Sequence, residues 1–412
     1  MNNKQFFGNV SWTMLGHLFS RGSMMLSAML LARSLSANDF AIYSYFQLTC
    51  TMIATYSAMG IGITASKLFS ELECSNTPDQ YDHIVRSIGT LWTTSIFLSF
   101  LSALIVLFLP NSFLSYNLKI SSLFFCVGVF FMAIAIVPNG AILGLEKYKS
   151  AAIISFFTGS INLTGVYFSI RQQDPTYSMI FLISSILFQT IGETTIIRSA
   201  LGWHSFRKFF YFDKSKIKSV ISFIGPMMFV SAISGSGMWA IGKIILSADK
   251  NYQNFSIYAI GLQWYSLALF IPLMISRAAL PALIKKNDHK IISKSLYLSL
   301  LFSFIFFGLV FLFKNQIVEF YGKSYLNFSF YIPFFVFAAC INSPANILGN
   351  IFISNNKQLV WMYIIITSFI CLVFSGWFFR GYGAWTGTIA FSIYSTVLVA
   401  LGFIFCKRNN YV

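Results

Sequence analysis

Arg21 stands in the middle of an apolar run, NVSWTMLGHLFSRGSMMLSAMLLARS (9–34). A guanidinium at such a depth costs at least roughly 2.5–3.5 kcal/mol on insertion scales, so it must face a cavity or a partner. Its planar fork of N–H donors suits phosphate oxygens. His17 lies one helical turn earlier on the same flank, and with Ser20 the three make a polar stripe, HLFSR. The plainer role for Arg21 is a structural ion pair or hydrogen bonds to carbonyls. Lys243 sits in a later apolar run, near its end, where its stem could carry the ammonium to an interface. Glu193 is the carboxylate clearly inside an apolar run, with Arg198 beyond it at the mouth. It could bind a proton or a sodium ion, pair with Arg21, or pair with Arg198. Lys67 and Arg277 end two further apolar runs at matching places. They serve either as headgroup anchors or as a basic collar that gathers an anion.

These residues need elements to hold them, and composition says of what kind. The chain of 412 residues is 57% hydrophobic and 10% charged, against roughly 25% charge in soluble domains. Apolar runs of about 20 residues, enough for a helix to cross a hydrocarbon core of about 30 Å, recur from end to end. Spans are expected near 9–32, 41–65, 87–109, 120–143, 151–170, 177–199, 218–246, 254–276, 295–313, 327–353, 358–379 and 384–405. The fold class is therefore an all-α polytopic membrane protein with about twelve transmembrane helices.

Lys and Arg crowd into alternate connections, which places both termini on the cytoplasmic side. The formal net charge of +16 is then largely topology and calls for no nucleic-acid partner. The basic segment RKFFYFDKSKIK (207–218) is expected to lie on anionic lipid headgroups. Cys50, Cys126, Cys340, Cys371 and Cys406 fall in apolar spans and Cys74 in an inner loop; there is no CxxC to hold a metal. No small-residue cleavage site follows the first apolar run, so it is expected to remain as a helix.

The chain also repeats itself. NDFAIYS (38–44) is answered by QNFSIYA (253–259), SK (66–67) by SR (276–277), DHIVRS (82–87) by DHKIISKS (288–295), and NGAILG (139–144) by PANILG (344–349). The order is kept while the offset shrinks from about 215 to about 205 positions, as a duplicated unit with small deletions would give. Six spans return the chain to its starting side, so the halves share one orientation and form two parallel lobes around a central cavity. The expected organisation is an N-terminal lobe over 1–206, a linker over 207–218 and a C-terminal lobe over 219–412. Pro138, Pro226, Pro272, Pro281, Pro333 and Pro344 lie in or near spans and should bend or loosen their helices. GMWAIGKI (237–244) imitates the start of a phosphate-binding loop, but Ile244 replaces the metal-binding hydroxyl and no strand precedes it.

The opening stretch NVSWTMLGHLFSRGSMMLSAMLLARSLSANDFAIYSYFQL (9–48), with GIGITASKLFSE (60–71), resembles the start of bacterial polysaccharide transporters. These are the O-antigen flippase (Wzx-type) branch of the multidrug/oligosaccharidyl-lipid/polysaccharide (MOP) exporter superfamily. The likeness is strongest over about the first 70 residues; the remainder agrees in span count, loop size and two-lobed arrangement. One departure is SAND (36–39), where family members usually have a Gly-Pro turn.

The resemblance implies a non-enzymatic inner-membrane carrier of undecaprenyl-diphosphate-linked oligosaccharide, moving it from the cytoplasmic to the periplasmic leaflet. It implies no cofactor, coupling to a proton or sodium ion at Glu193 as an open option, and a polysaccharide polymerase and chain-length regulator as partners. On that reading Arg21, His17 and Lys243 are the candidate contacts to the diphosphate-linked substrate, and Lys67 and Arg277 the inner-mouth collar. A membrane polymerase or ligase of the same glycan is the first alternative, but the longest outer loop, 314–326, has no His or Arg. An exporter of small solutes or drugs on the same architecture is the second. A lipid II flippase is closer still, but that branch usually has fourteen spans.

Overall fold

A computed structural model describes residues 3–58, 60–73, 77–109, 121–202, 233, 235–248, 252–276, 289–355 and 357–409. The basic segment 207–218, Arg277, Cys74, Pro226 and Pro281 lie outside the described residues. The described chain is helical throughout. In order come α1 (Asn3–Ser34), α2 (Ala37–Ala58), α3 (Ile61–Glu73), α4 (Pro78–Phe108), α5 (Ser122–Ile134), α6 (Ile136–Gly144), α7 (Tyr148–Gln172) and α8 (Thr176–Leu201). Then follow α9 (235–248), α10 (Gln253–Ala268), α11 (His289–Leu312), α12 (Lys314–Tyr321), α13 (Tyr331–Asn342), α14 (Ala345–Ser354), α15 (Gln358–Phe378) and α16 (Trp385–Arg408). Among the described residues, 9 helices or joined helix pairs are long and apolar enough to cross a membrane. The protein is a multi-pass membrane protein.

Several expected spans are not single helices. The span expected over 41–65 is broken between α2 and α3 at Gly60, whose φ of 77° lies in the left-handed region that glycine enters without strain. The span over 120–143 breaks at Ala135, three residues before Pro138; that over 254–276 breaks at Leu269, three before Pro272. The span over 327–353 breaks at Ser343, next to Pro344. Proline supplies no N–H, and its ring crowds the carbonyl four residues back, so the helix gives way within that turn. Pro333 produces no break, because it occupies the first turn of α13, where no helical N–H bond is lost. The breaks at Gly60 and Leu269, and those at Ala135 and Ser343, lie about 210 positions apart, within the offsets of the sequence repeat.

The chain forms two compact units. One consists of Met1–Leu31 and Ile42–Gly235, the other of Ala32–Ala41 and Ser236–Val412. The stretch Ala32–Ala41 that groups with the second unit takes in the end of α1, the short connection and the start of α2. Within the first unit, α7 packs on α8, α4 on α5, and α3 on both α4 and α6. The α3–α6 contact is close because Gly140 lies against the Gly62 carbonyl and Gly144 against the Ser66 carbonyl. Phe69, Ile88, Leu91, Ala141 and Ile197 fill the core between these helices.

Within the second unit, α16 packs on α13, α14 and α15, while α13 also meets α10 and α11. Its core is aromatic: Tyr258, Phe335 and Phe391 lie with ring centroids 5.9 to 6.5 Å apart. The α3–α6 junction has a counterpart here, for Asn350 of α14 donates to both the carbonyl and the Oγ of Ser276 at 2.8 Å. The expected outer loop 314–326 is built of α12 and a 3-10 turn, with Tyr321 accepting a 2.9 Å bond from the indole of Trp264. The described cysteines Cys50, Cys126, Cys340, Cys371 and Cys406 are free thiols.

Candidate functional site

The position of Arg21 follows from the face α1 uses for packing. Gly16, Phe19, Ser23 and Ser27 form a stripe against α7. A Cβ on Gly16 would meet Ala152 at 3.3 Å, and the rings of Phe19 and Phe156 stand edge to face with centroids 5.2 Å apart. Ser23 lies against Gly159, and Ser27 accepts a 3.0 Å bond from Asn162. At 100° per residue, Arg21 is about 140° round the helix from Gly16, so it lies on the flank turned away from α7. It is exposed at the surface of the chain. Among the described residues no carboxylate pairs with it. His17 belongs to α1 one turn before Arg21, on the same flank by register; its side chain is outside the description.

Lys243 lies in the second unit, half-buried in α9, with its Nζ 4.9 Å from the centroid of the Trp239 ring one turn earlier. An ammonium over an indole face is attracted by the ring's quadrupole. Tryptophan at that spacing is visible in the sequence, yet it is not among the residues singled out there. Lys67 lies 3.8 Å from Glu71, four residues on, with both side chains half exposed (51% and 47%). A pair so open to its surroundings adds little to stability.

Glu193 is 2% exposed in α8. Its Oε1 accepts from Gln189 Nε2 at 2.9 Å and from Asn139 Nδ2 at 3.2 Å. Among the described residues its Oε2 is buried without a partner. Neither Arg198 nor Arg21, the two cations weighed from the sequence, is bonded to it. Gln189 stands one turn away on the same helix, which the i, i+4 spacing could have flagged. Asn139 comes from α6, 54 residues earlier, and it opens the NGAILG segment that marks the repeat. Only the break at Ala135 and the packing of α6 against α8 bring it there.

The arrangement thus separates two kinds of polar chemistry: an exposed guanidinium at mid-helix, and a buried carboxyl held by two amides. The sequence pattern of the family described as polysaccharide biosynthesis proteins matches residues 6–287. The chain is similar to the EPS I polysaccharide export inner membrane protein EpsE of Ralstonia solanacearum, 18% identical over 271 residues. That match covers 64% of this chain and spans only 60% of the relative's length.

In fold, the chain is similar to an inward-facing multidrug resistance MATE family transporter of the MOP superfamily, with a TM-score of 0.73, 12% identity and 97% of each chain covered. It is similar as well to the lipid II flippase MurJ in an inward closed conformation, with a TM-score of 0.73, 16% identity, and 96% of this chain and 87% of that one covered. At these identities the likeness is one of fold.

Proposed function

The chain belongs to the family of polysaccharide biosynthesis proteins, and from that membership we propose that it is a flippase for lipid-linked sugar. It carries undecaprenyl-diphosphate-linked O-antigen repeat units from the cytoplasmic to the periplasmic leaflet of a bacterial inner membrane by alternating access, with both termini cytoplasmic. The observation that carries this reading is Arg21: a cation at mid-helix on the flank of α1 turned away from α7, exposed, with no carboxylate pairing with it among the described residues. A diphosphate supplies the oxygens that such a fork binds in bidentate fashion.

His17 on the same flank and Lys243 of the second unit are the further contacts proposed for the diphosphate head, with Lys67 and Arg277 as a basic collar at the cytoplasmic mouth. The relative named for polysaccharide export and the fold neighbour named as a lipid II flippase support a lipid-linked sugar as the substrate. A polysaccharide polymerase and a chain-length regulator are the partners such a carrier would serve.

A drug exporter on this fold would need a carboxylate open to a cationic ligand. Among the described residues the buried carboxylate is Glu193, closed off by Asn139 and Gln189. A polymerase or ligase would need reactive groups at the outer face, and 314–326 offers no His or Arg.

The test is surface glycan display in cells lacking the gene, complemented with wild type or Arg21→Ala at matched membrane abundance. The proposal expects loss of display, with single lipid-linked units accumulating on the cytoplasmic leaflet in both the null cells and the variant. Units that reach the periplasmic leaflet and stay unpolymerised would identify an enzyme or assembly factor instead.

A further inference from the structure

We propose that the second unit seats one anionic phospholipid of the surrounding membrane, its acyl chain against an apolar pocket under α12 and its phosphate on Lys314. The proposal does not depend on what the protein carries. Ile257 and Ile260 of α10, Val318 and Tyr321 of α12, and Tyr331 and Ile332 of α13 line the pocket, and the 3-10 turn after α12 supplies the remaining wall. No charged side chain lines it. Two of the tyrosines turn their hydroxyls elsewhere: Tyr321 accepts from the Trp264 indole, and Tyr331 donates to the Ala384 carbonyl. Their rings are what the pocket offers, and such walls suit a hydrocarbon chain.

The cation belongs to the same helix face. At 100° per residue, Val318 and Tyr321 lie about 40° and about 20° round α12 from Lys314, so the lysine opens the face that closes the pocket. Its Nζ stands 3.5 Å from the centroid of the Phe330 ring, next in sequence to Tyr331, and 4.6 Å from that of Phe311. Ring faces attract an ammonium and hold it in place, and its N–H donors then suit a phosphate. Among the described residues no carboxylate pairs with Lys314. Glu319, the acid of α12, is about 140° round the helix from it.

The depth also matches. The pocket lies where α11 stops and α13 and α16 begin. Trp385 opens α16 with its ring edge-on to those of Tyr331 and Phe334, the centroids 5.3 Å apart in both pairs. Arg380, just past α15, stands 5.2 Å from the centroid of the Trp377 ring. Tryptophans at helix ends mark the headgroup level of a bilayer, where the phosphates of membrane lipids lie. Phe320, Leu326 and Phe330, each next in sequence to a lining residue, are exposed, so the pocket is bordered by apolar surface. An amphiphile with its anion at the headgroup level and its chain beside it fits that order of groups.

The experiment uses the full chain purified in detergent, with bound lipid counted by native mass spectrometry as phosphatidylglycerol is titrated in. Wild type is expected to hold one such lipid more tightly than phosphatidylcholine of the same chain length. Lys314→Ala should weaken phosphatidylglycerol about fivefold and bind the two lipids alike, whereas Lys314→Arg should keep the preference. Glycerol phosphate, which has the anion without the chain, should fail to displace the bound lipid.

Equal retention of phosphatidylglycerol by wild type and Lys314→Ala overturns the proposal, and so does displacement by glycerol phosphate at the lipid's own concentration, since the pocket would then contribute nothing. Undecaprenyl diphosphate that displaces phosphatidylglycerol at lower concentration gives the site to an isoprenoid ligand and overturns the phospholipid assignment. Should Lys314→Ala fail to reach the membrane, the two lipids compared on wild type decide the matter, and equal affinity for both overturns the proposal.

Discussion

Single residues carry the proposed chemistry, and they differ in how far the sequence exposed their positions. Arg21 was legible because depth in an apolar run is a one-dimensional property, and a cation there has few reasons to exist. Replacing it by Ala removes charge-assisted bonds of about 1.5–3 kcal/mol, so affinity for a diphosphate-linked substrate should fall about 10- to 150-fold. Arg21→Lys keeps the charge but not the fork, and should recover part of that loss in a binding titration. Equal affinity in all three proteins would remove Arg21 from the site.

Glu193 was legible as a buried carboxylate, but its partner Asn139 was not, since nothing local pairs residues 54 positions apart. Lys67 is the contrasting case. Its ion pair with Glu71 lies half exposed, so Lys67→Ala should change thermal stability by no more than about 0.5 kcal/mol. Any effect of that variant on transport at equal abundance would then report on the proposed collar rather than on folding.

The sequence revealed the number and order of the helices better than their continuity. Hydropathy averages over a turn or more and passes straight through Gly60, Ala135, Leu269 and Ser343, where the backbone breaks. The prolines at 138, 272 and 344 marked three of these places, and the repeat placed them in matching pairs. What sequence spacing could not show is that the segments beyond the breaks form the tight junctions.

At the first junction the helices approach so closely that Gly140 and Gly144 lie on the backbone of α3. Gly140→Val would force a side chain into the Gly62 carbonyl, and should destabilise the protein by about 1–3 kcal/mol, seen as a lower unfolding temperature and reduced membrane abundance. At the matching junction, Asn350→Leu leaves the Ser276 carbonyl and hydroxyl without their donor. About 1 kcal/mol is expected for that loss. The two variants test whether both halves depend on the matching junction, and a stable, abundant Gly140→Val protein would contradict the close approach.

The whole molecule joins two helical units whose sequences still echo each other. The break positions recur at offsets within those of the repeated sequence segments, so the repeat shows in the backbone as well as in the residues. The chemistry is not duplicated. Asn139, which holds Glu193, corresponds to Pro344 in the second half, and the buried Glu193 carboxyl has no buried acidic counterpart among the described residues of that half. Polar groups found in one half of a repeated sequence suit the carrier proposed above, whose substrate would be anionic at one end and sugar at the other.

The assignment of a lipid-linked substrate is tested most directly in sealed proteoliposomes holding the purified protein and undecaprenyl-diphosphate oligosaccharide labelled on the sugar. The fraction of label open to a membrane-impermeant glycosidase is followed with time. With wild type, label from the inner leaflet should become accessible far faster than in protein-free vesicles, and Arg21→Ala at equal protein content should fall back towards the protein-free rate. Wild type that leaves half of the label protected, as in empty vesicles, would contradict the account.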